Sequence, residues 1–124
     1  MAAKVGDFVA KNKLSGSTSG MGVKVAATGT AGTLVHTAVT GTTNFDEIWL
    51  WALNTHSAAV DLTIEWGGVA DPDSLINFDA IPVEAGPTLI VPGWILQNGL
   101  IVRAFASVAN VIVVYGYVHN LTAA

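Results

Sequence analysis

The sequence contains no cysteine, so disulfide bonds and thiolate metal sites are excluded. It has no apolar run approaching the roughly 20 residues that a membrane-spanning helix needs. Its N-terminus lacks the apolar core of a secretory signal. We therefore expect no membrane partner, and a chain that is made in the cytoplasm and either stays there or is packed into a particle.

Charge is also scarce. Asp, Glu, Lys and Arg make up 11% of the 124 residues, against about 25% in an average soluble domain, whereas 52% are hydrophobic. Because a small domain has much surface for its volume, uncharged residues must cover most of it. Such a surface favours association, so we expect a homo-oligomer. The alternative is a Thr-rich sandwich that is simply soluble.

The few charges are unevenly distributed. Residues 1–24 hold four lysines and one acid, whereas residues 25–124 hold one arginine and eight acids. A Gly/Ser-rich tract at 14–22 opposes regular structure. The pattern predicts a basic flexible arm, 1–24, and an acidic body, 25–124, which disfavours nucleic-acid binding. The arm's candidate partner-binding residues are Lys4, Val5, Phe8, Val9, Lys11 and Lys13; the alternative is a terminus without a role.

The body has the pattern of an all-β domain without helices. Val60, Leu62, Ile64 and Trp66 alternate with polar residues, which predicts a strand with one face to the core and one to solvent. Asn-Gly at 98–99 predicts a tight hairpin. Candidate strands cover residues 22–27, 33–40, 47–53, 60–66, 75–81, 88–91, 94–97, 100–106 and 111–119. They predict an antiparallel two-sheet sandwich, a jelly roll, with an immunoglobulin-like sandwich as the alternative.

No residue pattern predicts catalysis. The three histidines, His36, His56 and His119, are isolated, so no metal-binding spacing is present. Asp46 and Glu47 are adjacent in a predicted strand, so their side chains point to opposite faces and cannot act as a pair. We expect no enzymatic activity, no metal and no cofactor.

The aromatic residues are the remaining candidates for a site. Large aromatic side chains anchor cores and protein interfaces, which is the role we expect for them. A sugar-stacking platform, with a glycan as ligand, is the disfavoured alternative. The residues are Trp49, Trp51, Trp66, Trp94, Tyr115 and Tyr117.

Five segments carry a family resemblance: LVHTA (34–38), DEIWLWALNT (46–55), LTIEWGG (62–68), VPGWILQNGL (91–100) and VYGYV (114–118). They resemble small virion structural proteins of tailed bacteriophages, and among these the jelly-roll capsid decoration, or cement, proteins. The resemblance implies a dimer or trimer on the outer surface of the virion head, bound to the major capsid protein and reinforcing the shell. A tail, fibre or head–tail connector component is the alternative within the same resemblance.

Overall fold

The computed structural model describes residues 8–83 and 86–122. These residues form strands and connections, and no helix occurs among them. The strands are β1 (Phe8–Lys13), β2 (Val23–Lys24), β3 (Thr33–Thr37), β4 (Phe45–Asn54), β5 (Val60–Trp66), β6 (Leu75–Ile81), β7 (Thr88–Leu96), β8 (Ile101–Ala106) and β9 (Ile112–Thr122).

Two antiparallel sheets pack face to face. Sheet A has the order β1-β9-β4-β7, with β2 also paired to β9, and sheet B has the order β3-β8-β5-β6. The prediction of an all-β antiparallel two-sheet sandwich is therefore confirmed. β1 and β7 are the edge strands of sheet A, and β3 and β6 are those of sheet B.

The core lies between the sheets and follows from period-two patterning. Along β4, every second residue is buried, including Ile48 and Leu50, which are fully inaccessible. Leu62 and Ile64 of β5 face them from sheet B and are equally buried. Each such side chain contributes about 1.5–3 kcal/mol through burial, so these alternating positions fix which face of each strand points inward.

Two local expectations about β7 need correction. The predicted strands at 88–91 and 94–97 are one strand with bulges around Pro92, which an edge position tolerates. Asn98 and Gly99 have φ values of 64° and 68°, as an Asn-Gly turn predicts. However, this turn joins β7 in sheet A to β8 in sheet B, so it is not a hairpin.

The N-terminal residues belong to the sandwich. β1 pairs with β9 over six residues, from Phe8↔Thr122 to Lys13↔Tyr117. Leu14 is buried in the core, and the Gly16 N–H donates to the Val35 carbonyl at 2.9 Å. The prediction of a separate flexible arm is therefore wrong for residues 8–24. The predicted residues Lys4 and Val5 lie outside the described part of the chain.

The outer face of β5 also differs from the prediction. The alternating pattern predicts Glu65 on a solvent face, yet Glu65 is fully buried. The connection between β2 and β3 folds over this face: the Thr30 hydroxyl donates to Glu65 Oε2 at 2.8 Å and the Gly32 N–H donates to Oε1 at 2.6 Å. The Glu65 carboxylate would face water in an open sheet, but here it accepts the hydrogen bonds that fix the β2–β3 connection over the strand.

Candidate interaction surface

The outer face of sheet A carries a row of aromatic side chains. Because alternate residues of β4 face the core, Trp49 and Trp51 must point outward, and Tyr115 and Tyr117 of β9 lie beside them in register. We call these four residues the aromatic face. Trp49, Trp51 and Tyr117 are partly buried, and Tyr115 is exposed.

Three rings of the aromatic face, those of Trp49, Trp51 and Tyr117, form a chain of contacts. The centroids of Trp49 and Trp51 are 6.3 Å apart with planes 20° from parallel, and those of Trp51 and Tyr117 are 5.9 Å apart. Aromatic pairs at such separations attract beyond their buried area. These three rings therefore support one another, and Tyr115 lies beside Trp51 in register.

Trp49 is held in place from two sides. Its Nε1–H donates to Glu47 Oε1 at 2.7 Å. Gly93 of β7 lies against the indole, and a Cβ built there would come within 2.8 Å of Trp49 Cζ2. Gly93 also has a φ of 81°, a conformation that glycine adopts without strain. The absence of a side chain at Gly93 thus allows the Trp49 indole to pack directly against β7.

Glu47 and His119 are the polar members beside the rings. His119 Nδ1 lies 3.1 Å from Glu47 Oε1, the same oxygen that accepts from Trp49. The hydrogen bond from Trp49 lowers the pKa of Glu47; partial burial raises it less, and the contacts with His119 lower it further. Glu47 is therefore ionised at neutral pH and organises the side chains around it.

Three lysines border the aromatic face along the β1 and β2 edge. Lys11 and Lys13 pair in register with His119 and Tyr117, and Lys24 pairs with Val113. All three are exposed. The Lys11 ammonium lies 4.3 Å from the centroid of the Tyr117 ring, a cation–π contact. We call Lys11, Lys13 and Lys24 the basic edge.

The residues predicted from sequence thus separate into groups. Trp66 packs against the core, and its ring makes an edge-to-face contact with Trp94 at 5.5 Å. The sequence predicts that the aromatic residues anchor the core or a protein interface. The two tryptophans and two tyrosines of the aromatic face lie outside the core, so for them only the interface role stays a prediction. Val9, Lys11 and Lys13 are exposed on β1, and Phe8 is known by its backbone pairing alone.

A buried polar cluster connects the two sheets, and the pairing of its members was not predicted from the sequence. His36 of β3 and Asp46 of β4 are almost fully buried, with His36 Nε2 2.7 Å from Asp46 Oδ2. The Ser15 N–H donates to His36 Nδ1 at 2.9 Å, so the ring proton is on Nε2 and is donated to Asp46. Asn120 Nδ2 donates to Asp46 Oδ1 at 2.8 Å, and the Val39 N–H donates to Oδ2 at 3.1 Å.

Burial alone would raise the pKa of Asp46, but hydrogen bonds from His36, Asn120 and Val39 lower it below its ordinary value. Asp46 is therefore an ionised carboxylate whose acceptor sites are filled by donors from both sheets. The cluster therefore links the two sheets by hydrogen bonds, and the Asp46 carboxylate has no free acceptor site for a substrate.

The remaining chemistry of the described surface is sparse. Across residues 8–83 and 86–122, no group of three or more His, Asp or Glu side chains could hold a metal ion. The same residues include no helix of the length and apolarity needed to cross a membrane. A pocket of about 240 Å³ lies beside the turn at 98–99, and its one ionisable lining residue is Arg103; the lining is Gly67, Gly68, Val69, Gly99, Leu100, Ile101 and Arg103.

Comparison with known proteins gives no relative: no family model, no curated protein and no solved structure matches this chain.

Proposed function

We propose that this chain is a non-enzymatic virion structural protein of a tailed bacteriophage, a capsid decoration protein that binds the major capsid protein on the outside of the assembled head. The observation that carries the proposal is the aromatic face, a preformed row of four rings on the outside of a sheet. The sequence resemblance to cement proteins supplies the partner.

The aromatic face suits a protein partner for energetic reasons. Tryptophan and tyrosine dominate the binding energy of protein interfaces, because each buries a large apolar area and loses little rotamer freedom. Trp49 is already fixed by Glu47 and Gly93, so little ordering remains to be done on binding. A ligand that binds only the closed shell stabilises that shell by mass action.

The path of the chain supports a jelly roll as the finer fold. From β2 onward, successive strands alternate between sheets A and B, except for the β5–β6 pair within sheet B. A two-sheet sandwich with this strand order arises from two Greek keys, which is the jelly-roll arrangement. The alternative of an immunoglobulin-like sandwich has a different order of strands in its two sheets.

Rebinding to heads that lack the protein tests the proposal. Heads of the encoding phage, stripped of this protein or made without it, are titrated with wild type, Trp51→Ala and Trp94→Ala. We expect wild type and Trp94→Ala to saturate at a copy number set by the number of capsomers, and Trp51→Ala to bind at least about tenfold more weakly. Trp94→Ala is the matched control, because it removes the same side chain away from the aromatic face.

Two outcomes contradict the proposal. Equal occupancy by Trp51→Ala and Trp94→Ala would show that the aromatic face does not bind the shell. Saturation at a few copies per particle would instead assign the protein to the tail, a fibre or the head–tail connector.

Glycan binding is a second candidate, because Glu47 and His119 place hydrogen-bonding groups beside Trp49 and Tyr117. Aromatic rings flanked by such groups are suited to pyranose rings. Calorimetry with soluble oligosaccharides separates the two candidates: saturable binding that Trp51→Ala removes and Trp94→Ala retains would favour the glycan. Absence of heat with a broad panel, together with head binding, favours the capsid.

A further inference from the structure

Among residues 8–83 and 86–122, the charged side chains that are exposed rather than partly buried lie on two separate edges of the sandwich. The positive charges of the basic edge, Lys11, Lys13 and Lys24, are on β1 and β2. The exposed acids Asp61, Asp71, Asp73 and Asp79 are on β5, β6 and the connection between them. We call these four the acidic edge. Asp46 and Glu65 are buried, so they do not add to the charge of either surface.

The two edges lie on opposite sides of the molecule. The β1–β2 connection is hydrogen-bonded to β3, through Gly16 N–H to the Val35 carbonyl and Thr37 N–H to Ser15 Oγ, so the basic edge lies over the β3 side of sheet B. β6 is at the other end of that sheet, three strand spacings or about 14 Å away. The sandwich is therefore electrically polar across its width.

Each edge also presents exposed apolar side chains. Val9 of β1 is 53% exposed next to the lysines. Val69 and Val83, which are 47% and 37% exposed, flank the acidic residues in the connections before and after β6. Specific protein interfaces combine an apolar centre with complementary charges around it, and these two edges together offer both features.

We infer that copies of this chain associate head to tail, with the basic edge of one copy against the acidic edge of the next. A two-fold contact made through a single edge would place that edge of both copies together and bring lysines against lysines or aspartates against aspartates. The complementary contact joins unlike edges, and repeating it gives a ring when the rotation closes. This inference concerns self-association and does not depend on what the aromatic face binds.

A different role for these charges leads to the opposite expectation. Lysines and aspartates on edge strands can serve to prevent association, because they keep unpaired strands from meeting. If they acted only in that way, the wild type would be monomeric, and reversing one edge would not dissociate anything. The two roles are therefore separated by the mass of the wild type and of edge-reversed variants.

The experiment uses the full chain and two double variants. Lys13→Glu/Lys24→Glu makes both edges acidic, and Asp73→Lys/Asp79→Lys leaves two aspartates and two lysines on the acidic edge, which removes its net negative charge. These four positions are exposed. Circular dichroism and thermal melting of each variant serve as the control for a retained sandwich. Sedimentation equilibrium at micromolar concentration gives the mass of each protein, to be compared with the 12.8 kDa monomer.

We expect the wild type to be larger than a monomer. Each variant alone should associate at least roughly tenfold more weakly, since the lysine variant replaces attraction by repulsion and the aspartate variant removes the attraction. An equimolar mixture should regain association, because the lysines of one variant meet the aspartates of the other in a native contact. Raising the ionic strength from about 0.05 M to about 0.5 M should weaken the wild-type oligomer through screening.

The inference is overturned by a monomeric wild type, by variants that keep the wild-type mass, or by a mixture that stays monomeric. None of these outcomes alters head occupancy measured with Trp51→Ala, so failure of the self-association and failure of the proposed capsid binding are distinguishable.

Discussion

Replacing Asp46 by alanine should destabilise the sandwich more than any surface change. The substitution removes the acceptor of three donors: His36 Nε2–H, Asn120 Nδ2–H and the Val39 N–H. All three remain in a region where Asp46 and His36 are no more than 5% exposed, so water cannot fully replace the lost carboxylate. Leaving a buried donor without its acceptor costs about 1–3 kcal/mol, and here three donors lose theirs at once.

Equilibrium unfolding in urea at neutral pH measures this loss directly. We expect the midpoint to fall while the slope of the free energy against urea stays near the wild-type value, because the exposed area on unfolding hardly changes. Glu47→Ala is the matched control: it removes the adjacent carboxylate, which is about one-third exposed, and should cost far less. A fall of less than about 1 kcal/mol in the free energy of unfolding of Asp46→Ala would refute the view that this cluster holds the two sheets together.

The same cluster predicts a pH dependence with a definite sign. The folded-state pKa of Asp46 is below its ordinary value of 3.8. A lowered carboxylate pKa contributes stability that is fully present above the unfolded value and is lost as pH falls through the folded value. Wild type should therefore lose stability below about pH 4 relative to Asp46→Ala, and the two free energies of unfolding should converge in acid. Parallel pH profiles would contradict the assignment.

Four further substitutions test three separate parts of the structure by thermal or urea unfolding. Gly93→Ala should cost about 1–3 kcal/mol, because it places a Cβ at a positive φ and against the Trp49 indole; an unchanged midpoint would contradict the close contact. Glu65→Ala should cost about 1–3 kcal/mol, since its two loop donors lose their buried acceptor; a wild-type midpoint would show the loop to be held otherwise. Trp51→Ala should cost less than about 2 kcal/mol, whereas Leu50→Ala should cost about 2–5 kcal/mol; the reverse order would mean that the aromatic face belongs to the core.

Much of the fold was predictable because strand periodicity is a local property. The strands at 60–66 and 75–81 have the predicted bounds, and the alternation in β4 places Asp46 inward and Glu47 outward, as adjacent strand residues require. The positive φ values of Asn98 and Gly99 also follow from residue type. These features depend on residues next to one another in the chain.

The strand β1 could not be read from the sequence in the same way. Phe8–Lys13 has two lysines and an asparagine and is followed by a Gly/Ser-rich tract, so its composition indicates a flexible segment. It is a strand because β9 offers it an unpaired edge, and the backbone hydrogen bonds along that edge are independent of side-chain type. Pairing with a distant segment outweighed the local preference.

The interaction surface shows the same division between local and tertiary information. The sequence by itself determined that Trp49 and Trp51 share one face of a strand, that charges are few, and that basic residues precede acidic ones. Only the tertiary structure decided that this face lies outside the sandwich, that Glu65 is covered by a loop, and that His36 meets Asp46. Strand period fixes which side chains share a face, but the packing of the two sheets and their connections decides which faces water can reach.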